Sequence, residues 1–427
     1  MKTRPDAYDP SRIEKAIYEA WEREGYFHSH PAPGRDHYCV VIPPPNITGA
    51  LHMGHALNNS IQDVLIRYHR MRGLDTLWLP GVDHAGVATQ SVVERTLWEE
   101  ERKTRYDVGR EEILRRIWEW KERFGGRIID QLKVLGCSCD WERTRFTMDE
   151  GLSRAVRTVF VRLFHEGLVY RGTRLVNWCP RHRTALSNDE LQYREVKGSF
   201  WRVRYPLEGD PSRGIVVATT RPETMLGDTA VAVHPSDDRY AGMIGMKLVL
   251  PLTGRTIPLI ADGVLPDPGK GTGAVKVTPA HDPNDYACGL RCGLPMINIL
   301  EDDGRLNANV PPAYRGLDRL EARRRVIEDL AAGGFLVGTE DHAHEVAHCY
   351  RCSDVIEPYL SDQWFVRMEP LVALAIEAGE KGLVRFHPEG RLRQYLEWLG
   401  STPDSCISRH NWWAHRIPLW YCPTSDP

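Results

Sequence analysis

Two histidines three residues apart, His52 and His55, are the first side chains in this sequence that could do chemistry. Residues at that spacing share one face of the first turn of a helix. A helix start carries unpaired backbone N–H groups and a positive dipole, which suit a phosphate group. Two imidazoles beside such a site can donate hydrogen bonds to phosphate oxygens as charge develops. The plainer alternative is a pair of partly exposed surface histidines.

A second reactive group consists of cysteines and one histidine in two short pairs. Two residues separate Cys179 from His182, and two separate Cys349 from Cys352. Three thiolates and an imidazole can coordinate zinc tetrahedrally, and they favour zinc over a hard cation. The long interval between the pairs predicts a metal clip at the neck of an inserted domain, worth roughly a few kcal/mol. Unmetallated thiols with a surface histidine are the alternative; His344 and His348 are spare candidates.

The two histidines lie inside a predicted strand–loop–helix–strand unit. The apolar, β-branched run 38–42 predicts a buried strand, and 76–79 predicts another. Between them, apolar residues recur every three or four positions from Leu57 to Met71, which predicts an amphipathic helix that ends at Gly73. We interpret residues 37–90 as a βαβ unit.

Asp83 follows the end of a strand in this unit. Ligands of open parallel sheets bind beyond the carboxyl ends of the strands, so the Asp83 carboxylate could hold an ammonium group. An Asx turn or a helix cap is an equally good reading of the same residue.

Three further helices are predicted from their start and stop signals. Ser11 opens a capping box for a helix that ends at Gly25, and Ser153 caps one that ends at Gly167. Apolar spacing over 108–135 predicts a long helix interrupted at Gly125-Gly126. Their apolar stripes are expected in the core, and the arginines near Ser153 on a solvated face or against a nucleic-acid phosphate.

The stretch 195–340 has a different character, with short β-runs broken by Gly and Pro. Residues 199–205, 214–220 and 274–278 are the best examples. A β-rich domain therefore appears as an insertion into an α/β one.

Composition sets limits on these interpretations. A chain of 427 residues predicts two or three domains, and 42% hydrophobic with 26% charged residues is typical of a soluble globular protein. The formal net charge of −3 neither requires nor excludes a nucleic-acid partner. No signal region or membrane-spanning apolar run is present, so a cytoplasmic location without membrane association is expected. Ten cysteines in a reducing compartment point to metal before disulfides.

Two motifs around the histidines carry a family resemblance. The stretch Pro43-Pro44-Pro45-Asn46-Ile47-Thr48-Gly49, followed by His52-Met53-Gly54-His55, and the later Asp83-His84-Ala85-Gly86, resemble the class I aminoacyl-tRNA synthetases, in wording close to the valyl enzymes. The resemblance implies valine activation with ATP and Mg²⁺ and transfer to tRNA(Val), by a monomer. It implies catalytic His52 and His55. The implied ATP site is Thr48, Gly49, His52, Gly54 and His55, and the implied amino-acid pocket is Pro44, Pro45, Asn46 and Asp83. Val82 stands where the family usually has Thr.

Two motifs in the β-rich stretch resemble the proofreading pocket of valyl, isoleucyl and leucyl enzymes: Thr219-Thr220-Arg221-Pro222-Glu223-Thr224 and His281-Asp282-Pro283-Asn284-Asp285. The resemblance implies that Asp282 pairs with the ammonium of a misattached amino acid. Further implied contacts are Lys276, Thr278 and Asp285 to its side chain, and Thr219, Thr220, Arg221 and Thr224 to the ester end and a positioned water, with His281 in the wall. Placed water and a stabilised oxyanion suffice for hydrolysis. Threonine nearly matches valine in shape, so a valine enzyme needs such a step. A turn and a loop cap are the alternative reading.

The resemblance implies an α/β fold with a split Rossmann-like nucleotide-binding domain. Its first part is 1–167 and its second 365–427; a zinc-binding neck spans 168–194 and 341–364, and a β-rich, barrel-like editing domain spans 195–340.

We expect the sequence to represent the N-terminal part of a family member. The second nucleotide-loop motif and the anticodon-binding helices are absent, and Cys422 resembles the first ligand of a further zinc knuckle. Such a chain would be inactive in aminoacylation but competent in editing.

Three alternatives remain open: isoleucyl or leucyl specificity, a stand-alone mischarged-tRNA deacylase, and a non-catalytic tRNA-binding paralogue. The last is favoured by four departures from valyl wording at Ser405, His410, Asn411 and Ala414. Arg409 and Arg416 could reach a substrate or form structural pairs.

Overall fold

A computed structural model describes residues 9–422 of the chain. They divide into two compact units: unit 1 comprises 9–162 and 411–422, and unit 2 comprises 163–410. Across this described range, no helix combines the length and hydropathy needed to span a bilayer.

Unit 1 is built from helices around two short parallel sheets. Its elements are α1 Pro10–Arg23, β1 His37–Val41, α2 Met53–Met71, β2 Asp75–Leu79, β3 Gly81–Val82, α3 Gly86–Glu101, α4 Arg105–Val108, α5 Arg110–Val134, β4 Arg145–Phe146 and α6 Glu150–His165. Strands β1 and β2 pair in parallel with α2 between them, and β3 pairs in parallel with β4. The predicted βαβ unit is therefore confirmed. The core of unit 1 lies between the βαβ unit and α5, where Trp78, Ile113 and Ile117 are fully buried.

The prediction that residues 38–42 form a buried strand is wrong for most of β1. Its residues alternate between exposed and half-buried, and Val41 is 65% exposed. Within the described residues β1 pairs with β2 alone, so its other edge and one face stay open.

The apolar stripe of α2 is also exposed rather than packed. Leu57, Ile61, Val64, Tyr68 and Met71 are all exposed, whereas Asn59 and Ile66 on the other face are buried. The period of the pattern predicted the helix correctly but not which face is covered, because coverage depends on what packs there.

Three predicted helix signals are displaced. Helix α1 is capped by Asp9, whose carboxylate accepts the Ser11 N–H at 3.1 Å. Asp149 accepts the Leu152 N–H at 2.8 Å at the start of α6, and Ser153 lies inside that helix. Helix α5 runs unbroken through Gly125-Gly126, and the break comes at Gly109, whose φ of +84° ends α4. A helix tolerates two glycines when its other turns pack well; it does not tolerate a positive φ.

Unit 2 contains two sheets and four helices. Its elements are β5 Val169–Cys179, β6 Thr184–Leu186, β7 Leu191–Leu207, β8 Asp210–Thr219, β9 Ala230–Val233, β10 Lys247–Val249, β11 Thr256–Ala261, β12 Ala274–Val277, α7 Pro283–Cys292, α8 Arg319–Ala332, β13 Leu336–Cys349, β14 Glu357–Val366, α9 Glu369–Glu380, α10 Arg391–Gly400 and β15 Ser405–Cys406. The predicted strands at 199–205, 214–220 and 274–278 are confirmed as parts of β7, β8 and β12.

The larger sheet has seven strands in the order β12-β9-β11-β10-β7-β13, with β8 also paired to β7. Over the described residues no strand pair closes this path, so the expected barrel is an open, curled sheet. Its core contains Val203, Tyr205 and Val217.

The smaller sheet has the order β15-β14-β5-β6. A long antiparallel ladder, from Leu191↔Cys349 to Val203↔Leu336, joins β7 to β13. It leads from the seven-stranded core to the end of β13, where Cys349 lies. The α/β fold class is thus confirmed, while the finer domain boundaries remain a prediction.

Candidate functional site

His52 and His55 lie at the start of α2, as predicted, and their ring centroids are 4.0 Å apart. The Gly54 N–H donates to Nδ1 of His52 at 3.1 Å, and the His52 N–H donates to Nδ1 of His55 at 3.2 Å. The expectation of unpaired amides is therefore wrong at these two positions, because the imidazoles already cap them. With each Nδ1 accepting, a neutral ring carries its proton on Nε2. Burial and the neighbouring His52 lower the pKa of His55, which favours that neutral form.

Asn46 and Asp83 lie side by side in a parallel β-bridge. The Asp83 N–H donates to the Pro45 oxygen at 2.8 Å, and the Ile47 N–H donates to the Asp83 oxygen at 3.1 Å. Two loops that both follow strands of unit 1 are thereby joined. Pro45 is buried, whereas Pro44 and Asn46 are exposed and Thr48 and Gly49 half-buried.

The Asp83 carboxylate is held through one oxygen. Oδ1 accepts the Ala85 N–H at 2.9 Å and the Thr147 hydroxyl at 3.1 Å, and all its hydrogen bonds with described residues fall on this atom. The Asx turn is therefore real, and it orients the carboxylate. Burial raises the pKa of Asp83, but hydrogen bonds from His84, the Ala85 amide and Thr147 outweigh it and leave the pKa below its usual value.

The residues that support these loops were not predicted from the sequence. Trp120 donates its indole N–H to the Ile47 oxygen at 2.7 Å, and Gln131 accepts the Leu51 N–H at 2.9 Å. The indole N–H of fully buried Trp413 donates to the His84 oxygen at 2.8 Å, and the main-chain N–H of Trp413 donates to Oε1 of Gln90 at 3.0 Å. Each is a long-range contact with no local pattern to announce it.

Arg409 forms structural contacts, the second of the two roles left open for it. Its guanidinium donates to the Cys406 and Ser408 oxygens, each at 2.9 Å, and lies 3.5 Å from Glu190. Arg416 is exposed.

The two motif loops of unit 2 meet through Arg221. Its guanidinium donates to the His281 oxygen at 2.7 Å. Locally, Thr219 accepts the Arg221 N–H at 3.0 Å, and Thr224 donates to the Arg221 oxygen at 2.9 Å. The turn reading of the first motif is thus correct as geometry, with half-buried Thr220 at the loop mouth.

Arg221 also belongs to a network of largely buried ion pairs. It pairs with Glu357, which is further paired with Arg319 at 2.7 Å, while Glu223 accepts two hydrogen bonds from Arg323, both at 2.7 Å. Burial raises the pKa of Glu357 despite the guanidinium groups beside it. Glu223 belongs to the first motif, but Glu357, Arg319 and Arg323 were not identified from sequence.

Behind the loops, Lys276, Thr278 and Asp285 form one buried polar network around Asp228. The Lys276 ammonium lies 3.3 Å from Asp228 Oδ1, to which Thr278 also donates. Asp285 accepts the Thr278 N–H at 2.8 Å, and burial raises its pKa to about 7. Asp228, absent from the predicted site, is the acceptor at its centre.

His281 and Asp282 differ in exposure. His281 is fully buried; its Nε2 accepts the Ile299 N–H at 2.9 Å, and burial lowers its pKa to about 3. Asp282 is half-buried and caps α7, accepting the N–H groups of Asn284 at 2.8 Å and Asp285 at 3.2 Å. Both cap contacts use Oδ1.

Cys179, His182, Cys349 and Cys352 form one cluster, as their spacing predicts. Sγ of Cys179 lies 3.4 Å from Nδ1 of His182 and 3.6 Å from Sγ of Cys352, and Sγ of Cys349 lies 3.6 Å from the same Nδ1. Tetrahedral zinc with bonds of about 2.0–2.3 Å requires ligand separations of roughly 3.5–3.8 Å. The donor set and its spacing therefore fit zinc. His344 and His348 are not part of this cluster; their Nδ1 atoms donate to the backbone oxygens of His342 and Val346 on β13.

Residues 16–426 match the family of class I tRNA synthetases (I, L, M and V). A valine–tRNA ligase of Geobacter sulfurreducens is 55% identical over 97% of this chain and 46% of its own length. Its counterpart in Thermotoga maritima is 56% identical over 97% of this chain and 47% of its own length. The valine–tRNA ligase of Carboxydothermus hydrogenoformans is 55% identical over 98% of this chain and 47% of its own length. The chain spans about half the length of the curated relatives it matches.

Proposed function

Because the chain belongs to the class I tRNA synthetases of the I, L, M and V group, we propose that it carries the valine-activating and proofreading sites of a valine–tRNA ligase. Its substrates are then valine, ATP and tRNA(Val). The observation that carries the activation site is the bridge between Asn46 and Asp83, which joins the loop leading to the two histidines with the loop bearing the carboxylate.

In the activation site, His52 and His55 would donate their Nε2–H groups to the triphosphate of ATP. The caps through Nδ1 support this role, since they hold both rings and leave the opposite nitrogen as the donor. Preorganised donors aimed at developing charge supply transition-state stabilisation without reorganisation. Mg²⁺ bound with the triphosphate would neutralise part of its charge.

Asp83 would hold the ammonium of valine through Oδ2. Its lowered pKa keeps the carboxylate ionised, and the contacts on Oδ1 fix its direction. Pro44 and Pro45 would form a rigid wall, and Asn46 would add a polar contact.

This assignment is tested by titrating the chain with a non-hydrolysable valyl-adenylate analogue in a calorimeter. Asp83→Asn should weaken binding at least about tenfold, or about 1.4 kcal/mol. Asp130→Asn, a neutral change at an exposed carboxylate of α5, should leave affinity unchanged. Equal affinity of Asp83→Asn and wild type would refute the role. Tighter binding of the isoleucyl or leucyl analogue would favour those specificities.

For proofreading, the supporting observation is the contact of Arg221 with the His281 oxygen, which brings the two motif loops together. Asp282 would take the ammonium of a misattached threonine. Thr219, Thr220 and Thr224 would hold the ester end and a water molecule. Lys276, Thr278 and Asp285 would act from behind, and buried His281 would position the loop.

Deacylation of Thr-tRNA(Val) tests this second site. Asp282→Asn keeps an oxygen to cap α7 but removes the charge, so hydrolysis should be lost while the fold is kept. Asp318→Asn is the matched control, because Asp318 caps α8 in the same way through the Leu320 N–H at 2.9 Å. A wild-type chain that binds tRNA yet hydrolyses nothing would favour the non-catalytic paralogue.

Zinc in the cluster of Cys179, His182, Cys349 and Cys352 would be structural. Four protein ligands leave no open coordination position, so the ion would hold the ends of β5 and β13 together rather than act on a substrate.

A further inference from the structure

A second group of metal-ligating side chains lies in unit 2, away from the sites above. Asp262 directly follows β11, and Cys288 and Cys292 lie one helical turn apart on α7. The Asp262 oxygen and the two Sγ atoms all lie within 4.8 Å of one another. Two elements that are separate in sequence thus bring three potential ligands to one point.

The surroundings of this group are partly buried and already polar. Asp262 and Cys288 are buried, and Cys292 is at the surface. The Cys288 thiol is hydrogen-bonded to the Asp262 carboxylate. Oδ1 of Asp262 accepts the Val264 N–H at 3.0 Å, and Oδ2 accepts from Arg291 at 2.5 Å.

We propose that Asp262, Cys288 and Cys292 bind a thiophilic divalent cation, zinc in the cell, with a fourth position open to solvent beside Cys292. Thiolates select zinc over hard cations, and three protein ligands plus water is a normal zinc coordination. Ligand separations must close to roughly 3.5–3.8 Å. Rotation of the surface Cys292 side chain about χ1 can supply that movement of about 1 Å.

Charge also favours this occupant. Two thiolates and one carboxylate carry three negative charges, which a divalent ion and the Arg291 guanidinium balance. Cys292 is the last residue of α7, where unpaired carbonyls and the helix dipole favour a cation.

Packing alone does not account for the pair of thiols. Cys288 contacts an apolar cluster that includes Ala230, Ala232 and Val277, where a buried cysteine acts as a small hydrophobe. Packing in the apolar cluster explains Cys288 but not the exposed thiol of Cys292, whereas coordination of one metal ion explains both cysteines.

The test counts zinc bound by the full chain, prepared metal-free under reducing conditions and dialysed against a weak chelator. Wild type should retain two equivalents, and Cys292→Ala and Asp262→Asn one each. Cys39→Ala, an exposed cysteine of unit 1, is the matched control and should retain two. Cys349→Ala should also retain one, since it removes the other cluster, so the two sites are separable.

Cobalt substitution gives a second readout, because the thiolate charge-transfer absorbance scales with the number of bound thiolates. Wild type should show five thiolates, and Cys292→Ala three. Equal zinc content and affinity in wild type and Cys292→Ala would overturn the proposal. A Cys288–Cys292 disulfide in the reduced preparation, seen as a loss of two mass units, would also overturn it. Metal-free Cys292→Ala should melt like metal-free wild type, which excludes misfolding as the cause of lost zinc.

Discussion

The guanidinium of Arg221 donates a hydrogen bond to the main-chain oxygen of His281 at 2.7 Å, across 60 residues of sequence. The same group pairs with the buried carboxylate of Glu357. Arg221 is therefore first of all a tie between two loops, and the proposed role of those loops in proofreading depends on it.

Replacing Arg221 should be costly for stability. Arg221→Ala leaves Glu357 buried with Arg319 as its remaining partner in the contacts described, and breaking a buried pair typically costs about 3–5 kcal/mol. We expect a loss near the lower end of that range in urea unfolding, with loss of Thr-tRNA(Val) deacylation. Arg213→Ala, at an exposed position of β8, should change neither. If Arg221→Ala lowers the free energy of unfolding by less than about 1 kcal/mol, the ion-pair network does not hold the loops.

The two imidazoles at α2 allow capping and ligand binding to be separated. His52→Ala should lose both the cap, worth about 1 kcal/mol, and affinity for the valyl-adenylate analogue. His52→Asn retains an oxygen that can accept the Gly54 N–H but lacks the Nε2 donor, so stability should persist while affinity falls. Calorimetry and thermal unfolding on both variants check this. Should His52→Asn bind as tightly as wild type, the imidazole is a cap only.

Asp285 should make stability depend on pH. Burial raises its pKa to about 7 in the folded chain, above the ordinary value of 3.8. The folded state then holds the extra proton between about pH 4 and 7, so this group's stabilising contribution is full at low pH and is lost as pH rises through 7. Asp285→Asn removes the titration. Relative to wild type it should gain stability between pH 5 and pH 8, by at most about 2.7 kcal/mol, because about two units of the shift lie above pH 5 and each unit is worth about 1.36 kcal/mol. An equal difference in unfolding free energy between Asp285→Asn and wild type at pH 5 and pH 8, measured in urea, would contradict this. His281 has the opposite pH dependence, but it is present in both chains, so its contribution cancels when the two chains are compared.

Zinc removal should selectively weaken unit 2. A ligand that binds only the folded state stabilises it by about 2.7 kcal/mol at one hundred times its Kd. Melting with and without a strong chelator should therefore differ in wild type and in Cys39→Ala. In Cys349→Ser the part of the chelator-dependent shift in melting temperature that comes from the cluster of Cys179, His182, Cys349 and Cys352 should vanish. Chelator-insensitive melting of wild type would argue against a structural ion.

The glycine pair in α5 should be a site of easy stabilisation. An added Cβ at Gly126 meets nothing within 4 Å, and its φ is not positive. Gly126→Ala should gain about 0.5–1 kcal/mol from helix propensity. Gly109→Ala should instead destabilise, because a φ of +84° is strained for any L side chain. The two unfolding free energies, measured side by side, check the assignment of the true break.

By itself the sequence determined what depends on near neighbours and on residue chemistry. The period of the apolar residues placed α2 and the strands β1, β2, β7, β8 and β12. The Cys-x-x-His and Cys-x-x-Cys pairs predicted one cluster, because such spacing already positions two ligands on a turn. The motif wording predicted the family, which the match over residues 16–426 confirms.

Only the tertiary structure decided which distant groups complete those local patterns. Asp228 at the centre of the Lys276 network, Glu357 against Arg221, and Trp413 beneath His84 come from segments that no periodicity connects. The exposed stripe of α2 follows the same rule. Periodicity sets which residues share a face, but burial of that face is a property of the surfaces brought against it, and those are chosen when the whole chain closes.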